Sequence, residues 1–416
     1  MNLLEKTDPQ IAAAIDAERR RQHSTLELIA SENHVSTPVL QASGTMLTDK
    51  YAEGYPRRRW YCGCENMDVI EQIAIDRAKQ LFGAEHANVQ PHSGTSANLA
   101  VYLTAIKPGQ KIMGMRLDQG GHLSHGLEIN LSGISYNAVH YGLRQDTELL
   151  DMDEIRAQAL KERPQILVVG ASAYSRTIDF KAFSDIAKEI NCLLLCDIAH
   201  IAGLVAGGIH PDPVPVSDFV TTTTHKTLRG PRGGVILCKS KWAKGLDTAI
   251  FPGLQGGPLM HVVAAKAVAF AEALRPEFKQ YVLSIVNNAK ALAEGLMEHG
   301  WRIVSGGTDN HLMLVDLRKK TPDLTGHVAA KRLAEAGIVS NKNKIPFDPR
   351  SAMDSSGIRL GTPAVTTRGM GPEQMKRIAG WIDTVLMGDG NAAIAQKVRN
   401  QVEELCNQFP IPNSNH

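Results

Sequence analysis

Cysteine is scarce in this chain. Six in 416 residues are too few for a disulfide scaffold. Four of them, Cys192, Cys196, Cys238 and Cys406, fall on apolar segments and read as core. A surplus of one charge is also missing: Lys+Arg 45 against Asp+Glu 43 leaves +2, which gives no electrostatic footprint for nucleic acid or an anionic membrane. No apolar run approaches the ~20 residues that span a bilayer. The opening MNLLEKTDPQ lacks a basic stretch followed by an apolar one, which argues against a secretory leader. Internal repeats and low-complexity segments are absent. What is present is an ordinary globular balance, 43% hydrophobic and 21% charged, which excludes disorder, collagen and simple coiled coil. The expectation is a cytoplasmic, reducing-compartment protein of two or three domains, at about 150 residues each.

Residues 1–50 hold two short helical patterns and a polar joint, SENHVST. They are too few to bury a core and are expected to pack on another body. Residues 51–275 alternate strand-like and helix-like segments. Between Asn66 and Phe82, Val69, Ile70, Ile73, Ala74, Ala78, Leu81 and Phe82 recur at helical spacing and Gly83 supplies a stop. Ile166–Val169, Leu193–Leu195, Phe219–Thr222 and Val235–Leu237 are continuous apolar runs, which fits strands buried on both faces of a parallel sheet. Helices between them argue for βαβ units. Pro276 breaks a helical pattern begun near Val262, placing a boundary at 275/276. Residues 276–416 then read as a smaller α+β unit: a helix from Glu277 to Gly300, a strand His311–Asp316, a helix Thr325–Gly337 and a final helix near Pro372–Met387, with PIPNSNH as a frayed tail.

Six segments carry candidate chemistry. In VTTTTHKTLRGPRGG a β-branched strand ends in His225 and Lys226. Ligands of α/β sheets bind at carboxyl ends of strands, so Lys226 reads either as a surface lysine or as a Schiff-base lysine of lowered pKa. In LLLCDIAHIAGL a buried strand ends in Asp197 and His200; the carboxylate is a helix cap or the partner of a cation, such as a protonated pyridine nitrogen. In QPHSGTSAN, Ser93, Gly94 and Thr95 open a helix as simple caps or as an anion cup. His122 and His125 of GGHLSHG suit core packing, stacking on a ring, or zinc, for which no Cys, Asp or Glu lies at ligand spacing. In KYAEGYPRRRWYCGCENMD, Arg57–Arg59 read as a solvated loop or as a site for an anionic tail, and the C-x-C of Cys62 and Cys64 has no second pair. In SSGIRLGTPAVTTRGM, Arg359 offers a fork for a carboxylate or an exposed ion pair. No metal is expected.

Taken in order, LELIASEN (26–33), KYAEGYP (50–56), ANVQPHSG (87–94), GGHLSHG (120–126), SAYSRTIDF (172–180), VTTTTHKTLRGPRGG (220–234), FPGLQGGPLMH (251–261), SGGTDNHL (305–312) and GIRLGTPAVTTRG (357–369) resemble the serine hydroxymethyltransferases over nearly the whole chain. The resemblance implies a fold-type I, aspartate aminotransferase-like α/β fold. Its large domain carries a mostly parallel seven-stranded sheet, and a small α+β domain follows. It implies pyridoxal 5'-phosphate as cofactor, tetrahydrofolate as co-substrate, and a homodimer or tetramer in which residues 1–50 pack on the partner. The implied reaction is reversible transfer of the serine hydroxymethyl group to tetrahydrofolate, through an external aldimine and a quinonoid.

Roles are implied residue by residue. Lys226 holds the cofactor, Asp197 its ring nitrogen, and His122 stacks on the ring. His200 and Ser172 hold the phenolic oxygen. Ser93, Gly94, Thr95 and His225 bind the phosphate, joined from the neighbouring subunit by Tyr51 and Gly257. Arg359 and Ser31 clamp the substrate carboxylate. Glu53 and Tyr61 face the hydroxymethyl group and folate from the neighbour. Leu117, Gly121, Leu123 and Asn343 belong to the substrate and folate side. Departures from the family's usual sequence gather at that side: Trp60, Cys62 in place of glycine, and Ser351–Ser356 in place of S-P-F-V-T-S. They leave open a paralogue acting on α-methylserine, or an aldolase of the threonine type that needs no folate. A non-catalytic homologue is opposed by the joint presence of Lys226, Asp197 and Arg359.

Overall fold

In the computed structural model, which describes residues 3–413, seven strands form one sheet. They are β1 (His86–Asn88), β2 (Lys111–Met115), β3 (Asn137–Tyr141), β4 (Ile166–Val169), β5 (Leu193–Asp197), β6 (Phe219–Thr223) and β7 (Gly234–Cys238), in the order β1-β7-β6-β5-β4-β2-β3. From β6 across to β3 the neighbours run parallel. β7 pairs antiparallel with both β6 and β1. The expectation of a parallel setting is thereby corrected for Val235–Leu237. A continuous apolar run reports that both faces are covered, and helices cover β7 as fully as its parallel neighbours; direction leaves no mark on composition.

Smaller strands β8 (Arg302–Ile303), β9 (Leu312–Asp316), β10 (Asn341–Asn343) and β11 (Gly357–Gly361) form an antiparallel sheet in the order β8-β9-β11-β10. The helix Pro276–Glu298 joins the two bodies of core. Phe278, Val282 and Ile285 pack beneath the large sheet, whereas Ala289, Leu292 and Leu296 pack with β9 and β11. Its start is set by chemistry: Pro276 occupies the first helical turn, where its missing N–H costs nothing, and holds Arg275 extended at ψ 148°. The helix Glu65–Phe82 has acidic Glu65 and Asp68 in its first turn, Lys79 in its last, and Gly83 at φ 62° as its left-handed stop. Leu26–Glu27 pairs in parallel with Ile338–Val339, so the N-terminal segment is stitched to the smaller core.

Two expectations at the C-terminal end are corrected. Pro372–Met387 is not the final helix: Ala392–Gln408 follows, capped by the Asn391 side chain and burying Val398, Val402, Leu405 and Cys406. The tail does not fray before Asn413, because Ile411 is buried and Asn413 Nδ2 donates to the Val35 carbonyl at 2.9 Å. Ser414–His416 lie outside the described residues. No helix among the described residues is long and apolar enough to cross a membrane.

Candidate active site

β5 and β6 are neighbours in register, with Asp197 opposite Thr221. The residues just past their carboxyl ends therefore open into one crevice. A cavity of about 330 Å³ lies there, lined by Ser93–Thr95, His122, His125, Ser172, Asp197, His200, His225 and Lys226 among others. Every cofactor-side residue expected within one chain is brought together.

Asp197 forms the floor. Its Oδ2 accepts from Asn98 Nδ2 at 2.8 Å and His125 Nε2 at 3.0 Å, and its Oδ1 accepts from the Ala199 amide at 3.0 Å. Burial alone raises a carboxyl pKa, but the hydrogen bond from His125, with support from His122 and Asn98, holds this one far below the usual range. The hydrogen bonds also fix tautomers. His125 Nδ1 faces the His122 amide at 3.4 Å and accepts from it, leaving Nε2–H for Asp197. The Ser124 amide donates to His122 Nδ1 at 3.2 Å, so Nδ1 is an acceptor, the Ser124 hydroxyl donates to it at 2.7 Å while accepting from Asn98 at 2.8 Å, and His122 keeps its proton on Nε2. Burial, opposed by Asp197 and assisted by Lys226, lowers His122 to about 4. Asp197 joins His122 and His125 in a three-residue cluster whose ligand atoms lie within 4.8 Å, a carboxylate that sequence spacing did not place beside them. Its contacts are accounted for by this hydrogen-bond relay. Neither the role of Asn98 nor the structural duty of His125 is visible in the sequence, although they lie in QPHSGTSAN and GGHLSHG.

Lys226 follows β6 on a loop whose Thr224 amide bonds the Gly233 carbonyl. Its Nζ donates to Thr223 Oγ1 at 3.2 Å. Burial pulls its pKa down to about 8, with Asp197 opposing and Arg359 and Arg232 assisting. Beside it, Ser93 caps the helix Gly94–Ala105 through Ser96 N, so the simple capping reading holds for its hydroxyl. The first-turn amides behind it have no intrahelical acceptor and remain for an anion. His225 is driven to about 3 by burial and by Lys226 and Arg232, and its Nδ1 is buried without a partner among the described residues. His200 pairs with His311 across 3.2 Å, and both are held neutral by burial. His311 is another residue that sequence reasoning left unassigned.

Arg359 reaches the same mouth from β11. It donates through Nη1 to the Ser172 carbonyl at 2.7 Å and through Nε to Asn341 Oδ1 at 3.2 Å. It is half-buried, and among the described residues no carboxylate pairs with it; desolvation alone lowers it to about 10. Ser31 lies in the segment whose Leu28 carbonyl accepts from the Gly361 amide at the end of the same strand. Asn343 sits on β10 opposite Gly357, outside the cavity.

Tyr51, Glu53, Tyr61 and Gly257 form a separate cluster. The Tyr51 and Tyr61 rings meet edge-on at 5.2 Å, and a Cβ added to Gly257 would stand 3.1 Å from the Tyr51 ring. A Cβ on neighbouring Gly256 would stand 3.2 Å from Glu53 Oε1. None of the four lines the Lys226 cavity of its own chain. Leu117 and Leu123 are exposed, and Gly121 is packed so that a Cβ would fall 2.1 Å from the Met115 carbonyl. The solvated reading of Arg57–Arg59 is corrected for its last member: Arg59 is buried, pairing with Asp68 at 2.8 Å and Glu71 at 2.7 Å, and is not free for a ligand.

A family model for serine hydroxymethyltransferase matches residues 4–382. The chain belongs to the serine hydroxymethyltransferase family. It therefore has the fold-type I architecture of pyridoxal-phosphate enzymes, and membership implies a pyridoxal-phosphate-dependent transferase of the general serine–glycine hydroxymethyl class. Against that family background, the substitution of Cys62 carries no backbone cost: the left-handed turn falls on Gly63 at φ 74°. Trp60 is 76% exposed. In the altered 351–356 loop, Asp348 accepts from the amide and hydroxyl of Ser356 and holds the loop in place.

Proposed function

We propose that this chain is a serine hydroxymethyltransferase that uses pyridoxal 5'-phosphate and passes the serine hydroxymethyl carbon reversibly to tetrahydrofolate, giving glycine and 5,10-methylenetetrahydrofolate. The observation that carries the reading is Arg359: a half-buried guanidinium without a carboxylate among the described residues, at the mouth of a cavity holding Lys226 and Asp197. A largely desolvated cation lacking its counter-ion is costly and is explained by an anionic ligand, and an amino acid supplies its α-carboxylate.

The donor set fits the cofactor. Lys226, with its pKa lowered to about 8, keeps a larger share of free amine for an aldehyde at neutral pH than an ordinary lysine does. Asp197, kept ionised, suits a protonated ring nitrogen. The orphaned His225 Nδ1 and the first-turn amides behind Ser93 suit a phosphate. The cofactor, when bound, supplies an electron sink for the charge left on the substrate α-carbon.

The chain's residues do the rest. Arg359 orients the α-carboxylate and so selects which bond is weakened. His122, neutral and fixed by Ser124, packs over the cavity without competing for the Asp197 charge. His200 and Ser172 serve the phenolic oxygen. Glu53 of the partner subunit moves a proton at the serine hydroxyl or the folate nitrogen. Tyr61 of the partner subunit faces the hydroxymethyl group, and Tyr51 of the partner subunit and Gly257 of the partner subunit complete the phosphate site. Support for this sharing is that Tyr51 and Tyr61, 56% and 47% exposed, lie away from the Lys226 cavity of their own chain. The part of residues 1–50 not covered by the chain's own core, including exposed Ile11 and Ile15, is proposed to pack on the partner, 51–275 to carry the cofactor, and 276–416 to deliver Arg359 and Asn343. Ser31 assists Arg359, while Leu117, Gly121, Leu123 and Asn343 border the folate.

The test is the visible spectrum of the purified protein with glycine, before and after tetrahydrofolate. A weak long-wavelength band that rises strongly with folate supports the transferase. A band that forms with glycine and ignores folate refutes the folate step and directs the search to aldehyde acceptors.

A further inference from the structure

Three carbonyl oxygens converge on one buried charge away from the lysine already discussed. Lys266, in the middle of the helix Met260–Ala273, is 1% exposed. Its Nζ donates to the carbonyls of Val89 at 2.6 Å, Pro91 at 3.0 Å and Gly234 at 2.9 Å. Three acceptors require three N–H donors, which an ammonium has and a neutral amine lacks. The contacts are those of a charged lysine, although burial draws its pKa down to about 7 against the opposing charge of Glu71. That carboxylate is itself taken by Arg59 and Gln90. Among the described residues Lys266 forms no ion pair, so its charge is balanced only by backbone dipoles.

The backbone it grips is the rear of the candidate anion cup. Val89 and Pro91 lead from β1 into His92 and Ser93–Thr95, and Gly234 opens β7 directly after Arg232 and Gly233; His92, Ser93, Arg232 and Gly233 all line the cavity. The two segments are tied to each other by Gly234 N to Pro91 O at 2.9 Å. They approach so closely that a Cβ on Gly234 would fall 2.4 Å from the Ser93 carbonyl, and one on Gly233 would fall 2.4 Å from Lys266 Cε. The lysine charge is felt on the cavity side, where it helps depress both His92 and His225.

We infer that Lys266 is a positioning residue for the phosphate of the ligand: its buried ammonium fixes the backbone of the 91–95 and 232–234 segments and places a positive charge behind them. This rests on the cofactor reading above. A merely structural lysine would affect all ligands alike, whereas a phosphate-positioning one affects the phosphate selectively.

The experiment titrates the full-length apoprotein with pyridoxal 5'-phosphate, with pyridoxal, and with inorganic phosphate as competitor. In Lys266→Met the affinity for pyridoxal 5'-phosphate should fall by about tenfold or more, inorganic phosphate should compete correspondingly less well, and pyridoxal should change by less than about twofold. Equal losses for both aldehydes, or no loss, overturn the inference. If Lys266→Met does not fold, Gly233→Ala decides by the same ratio, since its methyl displaces Lys266 Cε; an unchanged ratio overturns the inference there too. A wild-type chain that binds pyridoxal 5'-phosphate no better than pyridoxal refutes the cofactor reading together with this one. A wild-type preference retained in Lys266→Met refutes this one alone.

Discussion

Asn98 is the perturbation that most directly tests the relay beneath the cavity. It is fully buried; it donates to Asp197 Oδ2 and to Ser124 Oγ, each at 2.8 Å, and accepts from Thr221 Oγ1 at 2.6 Å. Asn98→Ala removes one bond to a carboxylate, worth about 1.5–3 kcal/mol, and two neutral ones of about 1 kcal/mol each. Two buried hydroxyls also lose a partner. Some water entry from the cavity offsets this, so the expected destabilisation is about 3 kcal/mol. The charged state of Asp197 loses one of its supports, so affinity for pyridoxal 5'-phosphate should fall by about tenfold, the equivalent of one pKa unit. Asn98→Asp separates electrostatics from volume. It keeps the shape but sets a second carboxylate against Asp197, so the introduced group has its folded-state pKa raised. Its stability is then close to normal below the unfolded carboxylate pKa, near 4, and is lost as pH rises through the raised folded value. Urea unfolding of the three proteins at pH 5 and pH 8 measures both effects. Asn98→Asp should be less stable than Asn98→Ala at pH 8 and recover more on moving to pH 5. If Asn98→Asp is the more stable variant at both pH values, Asp197 does not carry its charge in the folded protein and the relay is wrongly assigned.

Lys226→Ala should abolish the visible absorption of lysine-bound cofactor while leaving the fold intact by circular dichroism; an unchanged spectrum contradicts the assignment. Because the Lys226 pKa is lowered to about 8, the apoprotein should capture pyridoxal 5'-phosphate faster as pH rises through about 8 and then level off. A rate still climbing towards pH 10 would mark an unshifted lysine. Arg359→Ala should weaken serine and glycine binding by about a hundredfold, the loss of a charge-assisted pair, with cofactor content unchanged; normal amino-acid affinity removes its clamp role. Mixing inactive Lys226→Ala with inactive Glu53→Gln chains under subunit exchange should restore up to about a quarter of wild-type activity, since one site in each hybrid dimer is then intact. No recovery would mean that Glu53 serves its own chain.

The large sheet was legible because burial on both faces leaves continuous apolar runs, and the strands at 166, 193 and 219 begin where those runs do. The same signal is blind to direction, so β7, which runs antiparallel, reads like its parallel neighbours. The helix Ala392–Gln408 is faint in the sequence although its buried positions, Val398, Val402, Leu405 and Cys406, recur at four and three, because half its length is polar. Lys226 and Asp197 stood out because a charged residue at the end of an apolar strand demands a partner. Asn98, His125 and Lys266 did not, and the reason is the same for all three. Each acts by hydrogen bonds to residues tens to nearly two hundred positions away: Asn98 to Asp197, His125 to Asp197, and Lys266 to Val89. A helix interior hides such a residue, since a lysine among alanines reads as a solvated face until packing shows that the face is covered. What a sequence displays is the residue that meets the ligand. What it conceals is the residue that acts on the ligand through another residue, and at this site Asn98 and His125 set the charge on Asp197 while Lys266 sets the shape of the loop beside Ser93.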